Sequence, residues 1–359
     1  MNKAPEGRHA PRAHVAALRL GLCCAALCVC LLLILVDFVS AQDTVYLLPT
    51  EASRAGTRVT GTITEFTGRE LLIRTASGRE QMIPAARVDD FATEYTQQQV
   101  DADLRFAENK FATAEAQYRE ALTAESRQWV RRQIMAQIVW CLRNQGRHAD
   151  AAKTFLLIVE NDPTTQFFDA MPLTWLRTDL DLAAERQADT WLRDDRDPAA
   201  QLIAASWLVS GQAAARGEAL RALEDLTHAR DLRIAQLAEM QLWRTQIVTT
   251  TARDIPRLHS AVNRLPEPLR AGGYYLLGQA YARNNQHQQA ALAHMRVPVL
   301  YPNERALSAE ALLAAADALT NSNRADEARN CLRELLTKHP GSTAAAAAKS
   351  QLESTKQGG

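Results

Sequence analysis

The stretch AGGYYLLGQAYARNNQHQQAALAHMRVPVLYPNE, Ala271 to Glu304, carries apolar residues at helical spacing over 34 positions. Counted from Ala271, Tyr274, Leu277, Gly278 and Tyr281 stand at positions 4, 7, 8 and 11, Ala290 at 20 and Pro302 at 32. Residues three and four apart share one face of a helix, so the first four form a single stripe. Gly278 and Ala290 are small where two antiparallel helices would cross, which lets the backbones approach. Pro302 then stops the second helix. The same frame runs through Ala309 to Ser342, with Leu312, Ala315, Ala316, Leu319, Ala328, Leu332, Leu335 and Pro340 in place. It also runs through Arg132 to Thr165, with Ile138, Val139, Leu142, Gly146, Ala151, Phe155, Ile158 and Pro163. FATAEAQYREAL, with Phe111, Ala114, Tyr118 and Ala121, supplies the second half of an earlier unit. One frame used four times is the mark of a stacked array in which each unit buries its apolar face on the next.

This spacing resembles the tetratricopeptide repeat (TPR), with Tyr274 for the usual Trp at position 4 and His294 for the usual aromatic at position 24. The resemblance implies a mainly α fold: a right-handed TPR-like α-solenoid of antiparallel helix pairs, here preceded by a small all-β barrel-like module. Repeats are expected over 93–165 and 271–359, the latter ending in a capping helix that Thr343 and the alanines up to Ala348 open. Over 166–270 the frame is lost, but AAQLIAASWLVSG, GEALRALEDLTHAR and LRIAQLAEMQLWRTQIV keep a helical period. Three further pairs would fit there, either divergent repeats of the same kind or HEAT-like pairs. LYPNERALSAEALLAAADAL and KHPGSTAAAAAKSQL resemble the tandem units of periplasmic tetratricopeptide proteins, including the outer-membrane-assembly lipoprotein and the repeat protein that accompanies the Tol-Pal system.

In that family the first helices line a concave wall, and positions 2, 5, 9, 12 and 13 face inward. The resemblance places Gln133, Trp140, Arg143 and Asn144 of one unit on that wall, with Tyr275, Gln279 and Arg283 of another and Asn321 of the last. Trp140 and Tyr275 could anchor a protein or peptide partner, and Arg143 and Arg283 could orient its carboxylate or main chain. The Lys and Asn set of the chaperone-binding members is not reproduced.

Arg58 to Phe91, RVTGTITEFTGRELLIRTASGREQMIPAARVDDF, reads differently. Val59, Gly61 and Ile63 alternate with threonines at the period of a half-buried strand, and Thr67-Gly68 and Ser77-Gly78 fall where hairpin turns belong. With strands expected at Val45 to Leu48 and Val88 to Phe91, residues 42–92 resemble a small SH3-like or Sm-like module. Its charges are mixed and it lacks an aromatic stacking platform, so RNA is not the expected ligand. Lys plus Arg equals Asp plus Glu over the chain, 41 each, and no global field draws it to nucleic acid.

Before Leu20 stand Lys3, Arg8, Arg12 and Arg19 against Glu6, and Leu20 to Val36 is an uncharged apolar run. Val39-Ser40-Ala41 then offers a small-residue exit, the layout of a secretory signal cut before Gln42. An uncleaved anchor over residues 20–36 is the other reading, and membrane contact is expected only through this segment if it stays. Either way the protein is expected outside the cytoplasm, in the periplasm or cell envelope. Cys23, Cys24, Cys28 and Cys30 serve there as small apolar residues, none with small residues before it as a lipidated cysteine needs. Without residues 1–41 the formal net charge is about −2. Cys141 and Cys331 are expected as buried free thiols.

No phosphate-loop, dinucleotide, zinc-protease or esterase motif occurs, and no catalytic, cofactor or metal residue is expected. His148 and His287 share position 17 of separate units, where packing explains them. The acidic pairs of DLDLAAE, WLRDDRD and ALEDL lie among arginines as solvated ion pairs. The chain therefore reads as a non-enzymatic exported scaffold for protein partners. The alternative is an accessory subunit that holds a peptide or polysaccharide for a separate envelope enzyme or transport machine.

Overall fold

The structure, a computed structural model, describes residues 42–49, 56–177, 180–211 and 213–357. The expected leader, 1–41, and its reading as an anchor lie outside the described residues. Among the described residues no helix is long and apolar enough to cross a membrane. The chain divides into two compact units. One holds the described part of Met1–Ile63 with Ile73–Met82 and Arg87–Glu94, and the other holds Thr64–Leu72, Ile83–Ala86 and the described residues from Tyr95 on.

Five strands, β1 (Asp43–Leu47), β2 (Thr57–Phe66), β3 (Glu70–Arg74), β4 (Glu80–Pro84) and β5 (Val88–Ala92), form one antiparallel sheet in the order β4-β3-β2-β1-β5. Gly61 and Ile63 point inward and Thr60, Thr62 and Thr64 outward, as their alternation requires. A Cβ at Gly61 would lie 2.3 Å from the Arg74 carbonyl oxygen, so only glycine lets the chain pass there. The sheet is open, where a barrel-like closure was expected. Its edge β4 buries a single side chain, Ile83, which gives little apolar gain for wrapping that edge round.

The second unit is helical. Its pairs α1 (Gln97–Ala107) with α2 (Phe111–Ala124), α3 (Gln128–Asn144) with α4 (His148–Asn161), α10 (Ala271–Arg283) with α11 (His287–Leu300), and α12 (Arg305–Asn321) with α13 (Ala325–Lys338) match the four frames; α14 (Thr343–Gln357) follows. Every one of these pairs turns in the same way. One residue takes a left-handed conformation, Asn109 (φ 63°), Gly146 (74°), Asn285 (58°) or Asn323 (61°). The next N–H reaches back five residues, to the carbonyls of Arg105, Leu142, Tyr281 and Leu319, at 2.9 to 3.0 Å. That is a Schellman closure, which ends a helix by satisfying its last carbonyls and needs glycine or asparagine at the turning residue. The frame positions then pack as the stripe predicts: Leu312, Ala315, Ala316, Leu319, Ala328, Leu332 and Leu335 are all buried in one cluster. Cys141 and Cys331 are buried and unpaired.

Among the described residues between Pro163 and Ala271 five α-helices form, α5 (Leu182–Leu192), α6 (Pro198–Leu208), α7 (Ala213–Leu226), α8 (Leu232–Gln246) and α9 (Ile255–Arg264). The room expected for three full pairs is shared with a strap, residues 162–177, that has only a 3-10 turn at Gln166–Ala170 and otherwise no regular structure. The strap is nevertheless buried at Phe168, Ala170, Met171, Leu173, Thr174 and Trp175. A buried main chain outside helix and sheet needs partners for its carbonyls, and side chains of α6 and α8 supply them. Arg233 donates to the carbonyls of Pro163 (2.6 Å) and Thr165 (3.0 Å), Trp207 Nε1 to Pro172 (2.8 Å), and Arg244 to Thr174 (2.8 Å) and Leu176 (2.8 Å). The β2–β3 turn is held in the same unit: Gly68 N–H donates to the Asp162 carboxylate at 3.0 Å, and Arg132 pairs with Glu65 and donates to the Phe66 carbonyl at 3.0 Å.

Candidate partner-binding groove

The residues expected on an inner wall reach different fates. Trp140 is buried and Arg143 stacks on it, guanidinium carbon 4.2 Å from the ring centroid. Both oxygens of Glu304 accept from Arg143 Nη2 at 2.8 Å, so α3 is tied to the turn that follows α11. Asn144 turns back to its own helix and donates to the Trp140 carbonyl at 2.8 Å, and the Gln133 amide donates to the Tyr95 hydroxyl at 3.1 Å. Tyr275 is buried edge-on against His294, centroids 5.4 Å apart, and burial, with the charge of Glu310, pushes its hydroxyl up to about 12. A turn or a neighbouring helix thus takes the contacts of Arg143 and Tyr275, the segment before α1 takes that of Gln133, and Asn144 is held by its own helix.

Gln279, Arg283 and Asn321 are brought together. They line an open groove of about 340 Å³ between α10 and α12, with Ala282, Ala314 and Ala318 as a shallow apolar floor and the exposed Val248 at its edge. Alanine at these helix positions leaves room above the backbone, which is what makes the groove. The side chains of Arg283 and Asn321 are exposed and make no hydrogen bond or ion pair among the described residues. Gln279 bonds the Tyr275 hydroxyl. His287 and His294 also line the groove, and the Nδ1 of each is buried without a hydrogen-bond partner among the described residues. Gly278 permits the His294 ring to lie flat under α10: a Cβ there would stand 2.6 Å from it. Burial pushes His294 down to about 4, so the ring is neutral at pH 7.

Asp169, which no spacing in the sequence singles out, lines a separate pocket of about 320 Å³ beneath the α11–α12 turn with Trp140, Glu267, Tyr301 and Glu304. Burial pushes its carboxyl up to about 6; the Arg143 charge pulls it down and the Glu304 charge raises it. A carboxyl whose folded pKa lies above the unfolded 3.8 binds its proton more tightly when folded, so stability is lost as pH rises from about 4 through 6. Asp169→Asn is therefore expected to gain about 1–3 kcal/mol over the parent at pH 8 and nothing at pH 4. Denaturant titrations of both proteins at the two pH values check this, and an equal difference at both would refute it.

Residues 310–342 match the family Tetratricopeptide repeat, within one residue of the frame that begins at Ala309. No curated protein matches the chain. The match and the four identically closed helix pairs support a tetratricopeptide-type α-solenoid, and repeats of this type generally mediate protein–protein interaction.

Proposed function

We propose that the chain is a non-enzymatic scaffold, exported to the cell envelope, whose α10–α12 groove holds an extended segment of a protein partner. The observation that carries this reading is the convergence of Arg283 and Asn321, both exposed and unspent, over an alanine floor with Gln279 beside them. An arginine fork and a primary amide suit a carboxylate or the carbonyls and N–H groups of an extended main chain. A polysaccharide is favoured less, since Tyr275, whose hydroxyl Gln279 bonds, is buried edge-on and gives no face for a sugar ring. Export rests on the basic, apolar and small-residue layout of residues 1–41.

The test is a photo-crosslinking residue at Asn321 in the native envelope, with a second at the exposed Lys349 as control. One reproducible protein adduct from Asn321 and none from Lys349 is expected, with the yield at limiting partner falling about tenfold in Arg283→Glu. Because Arg283 is exposed, the melting temperature should stay within about 1–2 °C of the parent. The same adducts from both positions, or no dependence on Arg283, would remove the groove from the function.

A further inference from the structure

The pocket beneath the α11–α12 turn differs in chemistry from the groove. Trp140, Tyr301 and Pro302 give it flat apolar walls, and Asp169, Glu267 and Glu304 bring three carboxylates. Among the described residues no Lys or Arg lines it. The bases nearby are already committed. Arg143 holds Glu304 through both carboxylate oxygens, Arg270 donates to the Leu265 and Asn263 carbonyls, and Arg296 stacks 4.9 Å over Tyr274. Among the described residues Asp169 and Glu267 therefore line the cavity without an ion-pair partner, although the charge of Arg143 still acts on Asp169, and the donors that reach the Asp169 carboxylate are the main-chain N–H groups of Asp169 and Ala170.

Two features narrow the ligand. Among the described residues no group of three or more His, Cys, Asp or Glu is arranged to hold a metal ion, so the three carboxylates do not form a ready-made cation cage. The wall already binds an organic cation, because the Arg143 guanidinium lies 4.2 Å over Trp140 while its edge meets Glu304. Carboxylate on one side and aromatic face on the other is how proteins recognise ammonium and guanidinium heads. Tyr301 and the prolines would take the alkyl stem of such a ligand.

We propose that this pocket is a binding site for an alkylammonium ion, its head between Asp169 and Glu267 and its stem along Tyr301 and Pro302. The chemistry is that of a lysine side chain on a polypeptide or of a free amine. The site is independent of the α10–α12 groove and shares none of its lining residues.

The probes are Nα-acetyl-lysine N-methylamide, n-butylamine and the uncharged norleucine analogue of the first, added to the full-length protein. The readout is the side-chain carboxyl carbon resonance of Asp169, assigned by its loss in Asp169→Asn. Saturating lysine probe is expected to lower the Asp169 titration midpoint by about one pH unit, a tenfold preference for the ionised carboxylate. Binding should be at least tenfold tighter for the lysine probe than for its norleucine analogue at pH 8. It should also fall at least tenfold in Asp169→Asn, a variant expected to fold at least as well as the parent. Equal affinity of the capped lysine and butylamine would identify the ammonium head as the ligand from either source, and tighter binding of the capped lysine would identify a polypeptide. A midpoint unmoved by both amines, equal binding of lysine and norleucine probes, or unchanged binding by Asp169→Asn would each overturn the proposal.

Discussion

Arg244→Met is expected to cost the helical unit about 3 kcal/mol or more, a fall in melting temperature of roughly 6–12 °C on the scale of a domain this size. Among the described residues the guanidinium has no carboxylate partner. It donates instead to the carbonyls of Thr174 (2.8 Å), Leu176 (2.8 Å) and Ser206 (2.9 Å), the Ser210 hydroxyl (2.9 Å) and the Gln241 amide oxygen (3.1 Å). Burial lowers its pKa to about 10, so it is still charged at pH 7 and each of these bonds is charge-assisted. Methionine keeps much of the stem's packing but strands several carbonyls, each about 1–3 kcal/mol when buried and unmade. Relief of the desolvated charge offsets part of that sum. Arg244→Lys should restore little, because a single ammonium cannot span carbonyls on the strap and on α6 together. Calorimetric melting of the three proteins checks the prediction. A methionine variant within about 1 kcal/mol of the parent would show that the Arg244 bonds contribute little to holding the strap.

The strap also shows what could be read from the amino acids and what could not. Repeat pairs are local: the stripe at Tyr274, Leu277, Gly278 and Tyr281 and the stop at Pro302 lie within one unit, and the structure places helices α10 and α11 there. The turning residues Asn285, Asn323 and Gly146 share one position of the frame; Gly146 stands out there from the amino acids, and the two asparagines take their meaning from the backbone angles. The helical stretches around Leu202, Leu223 and Leu237 were equally plain, because each carries its own period. Residues 162–177 carry no such signal. Their conformation is set by Trp207, Arg233, Gln241 and Arg244, which bind their carbonyls from 35 to 70 residues away in the chain.

The same reasoning divides the candidate site residues. A repeat frame predicts which face of α3 or α10 a side chain occupies, since that depends on helix period alone. It does not predict what else reaches that face. Trp140 and Arg143 meet Glu304, 161 positions from Arg143 along the chain, and Tyr275 meets His294 because Gly278 leaves room for the ring. Arg283 and Asn321 stay open because alanines at 282, 314 and 318 put nothing above them. Asp169 sits in an apolar run, QFFDAMPL, where nothing local distinguishes a pocket carboxylate from a surface one.

Gly272→Ala is expected to destabilise the protein by about 2–3 kcal/mol, although alanine favours a helix over glycine by about 1 kcal/mol. Gly272 lies in the first turn of α10, facing the Trp175 indole of the strap, and a Cβ there would stand 2.1 Å from two of its ring atoms. Trp175 cannot retreat without cost. The Thr174 carbonyl beside it is held by Arg244 and Gln241, the Thr174 hydroxyl donates to the Ser206 carbonyl at 2.7 Å, and Trp207 holds Pro172. The added methyl must therefore shift α10 or break those bonds, and interiors this dense respond to a single methyl group. Gly217→Ala in α7 is the control: its nearest neighbour would be the flexible end of Arg221 at 4.0 Å, and it should gain about 0.5–1 kcal/mol. Trp175→Ala alone should lose about 3–5 kcal/mol through the cavity it leaves. Since that cavity admits the new Cβ, the double variant Gly272→Ala, Trp175→Ala should be more stable than the sum of the two losses by about 2 kcal/mol. Additive losses in this cycle would place the cost of Gly272→Ala in α10 itself, and a stabilised single variant would mean that the strap and α10 do not press together.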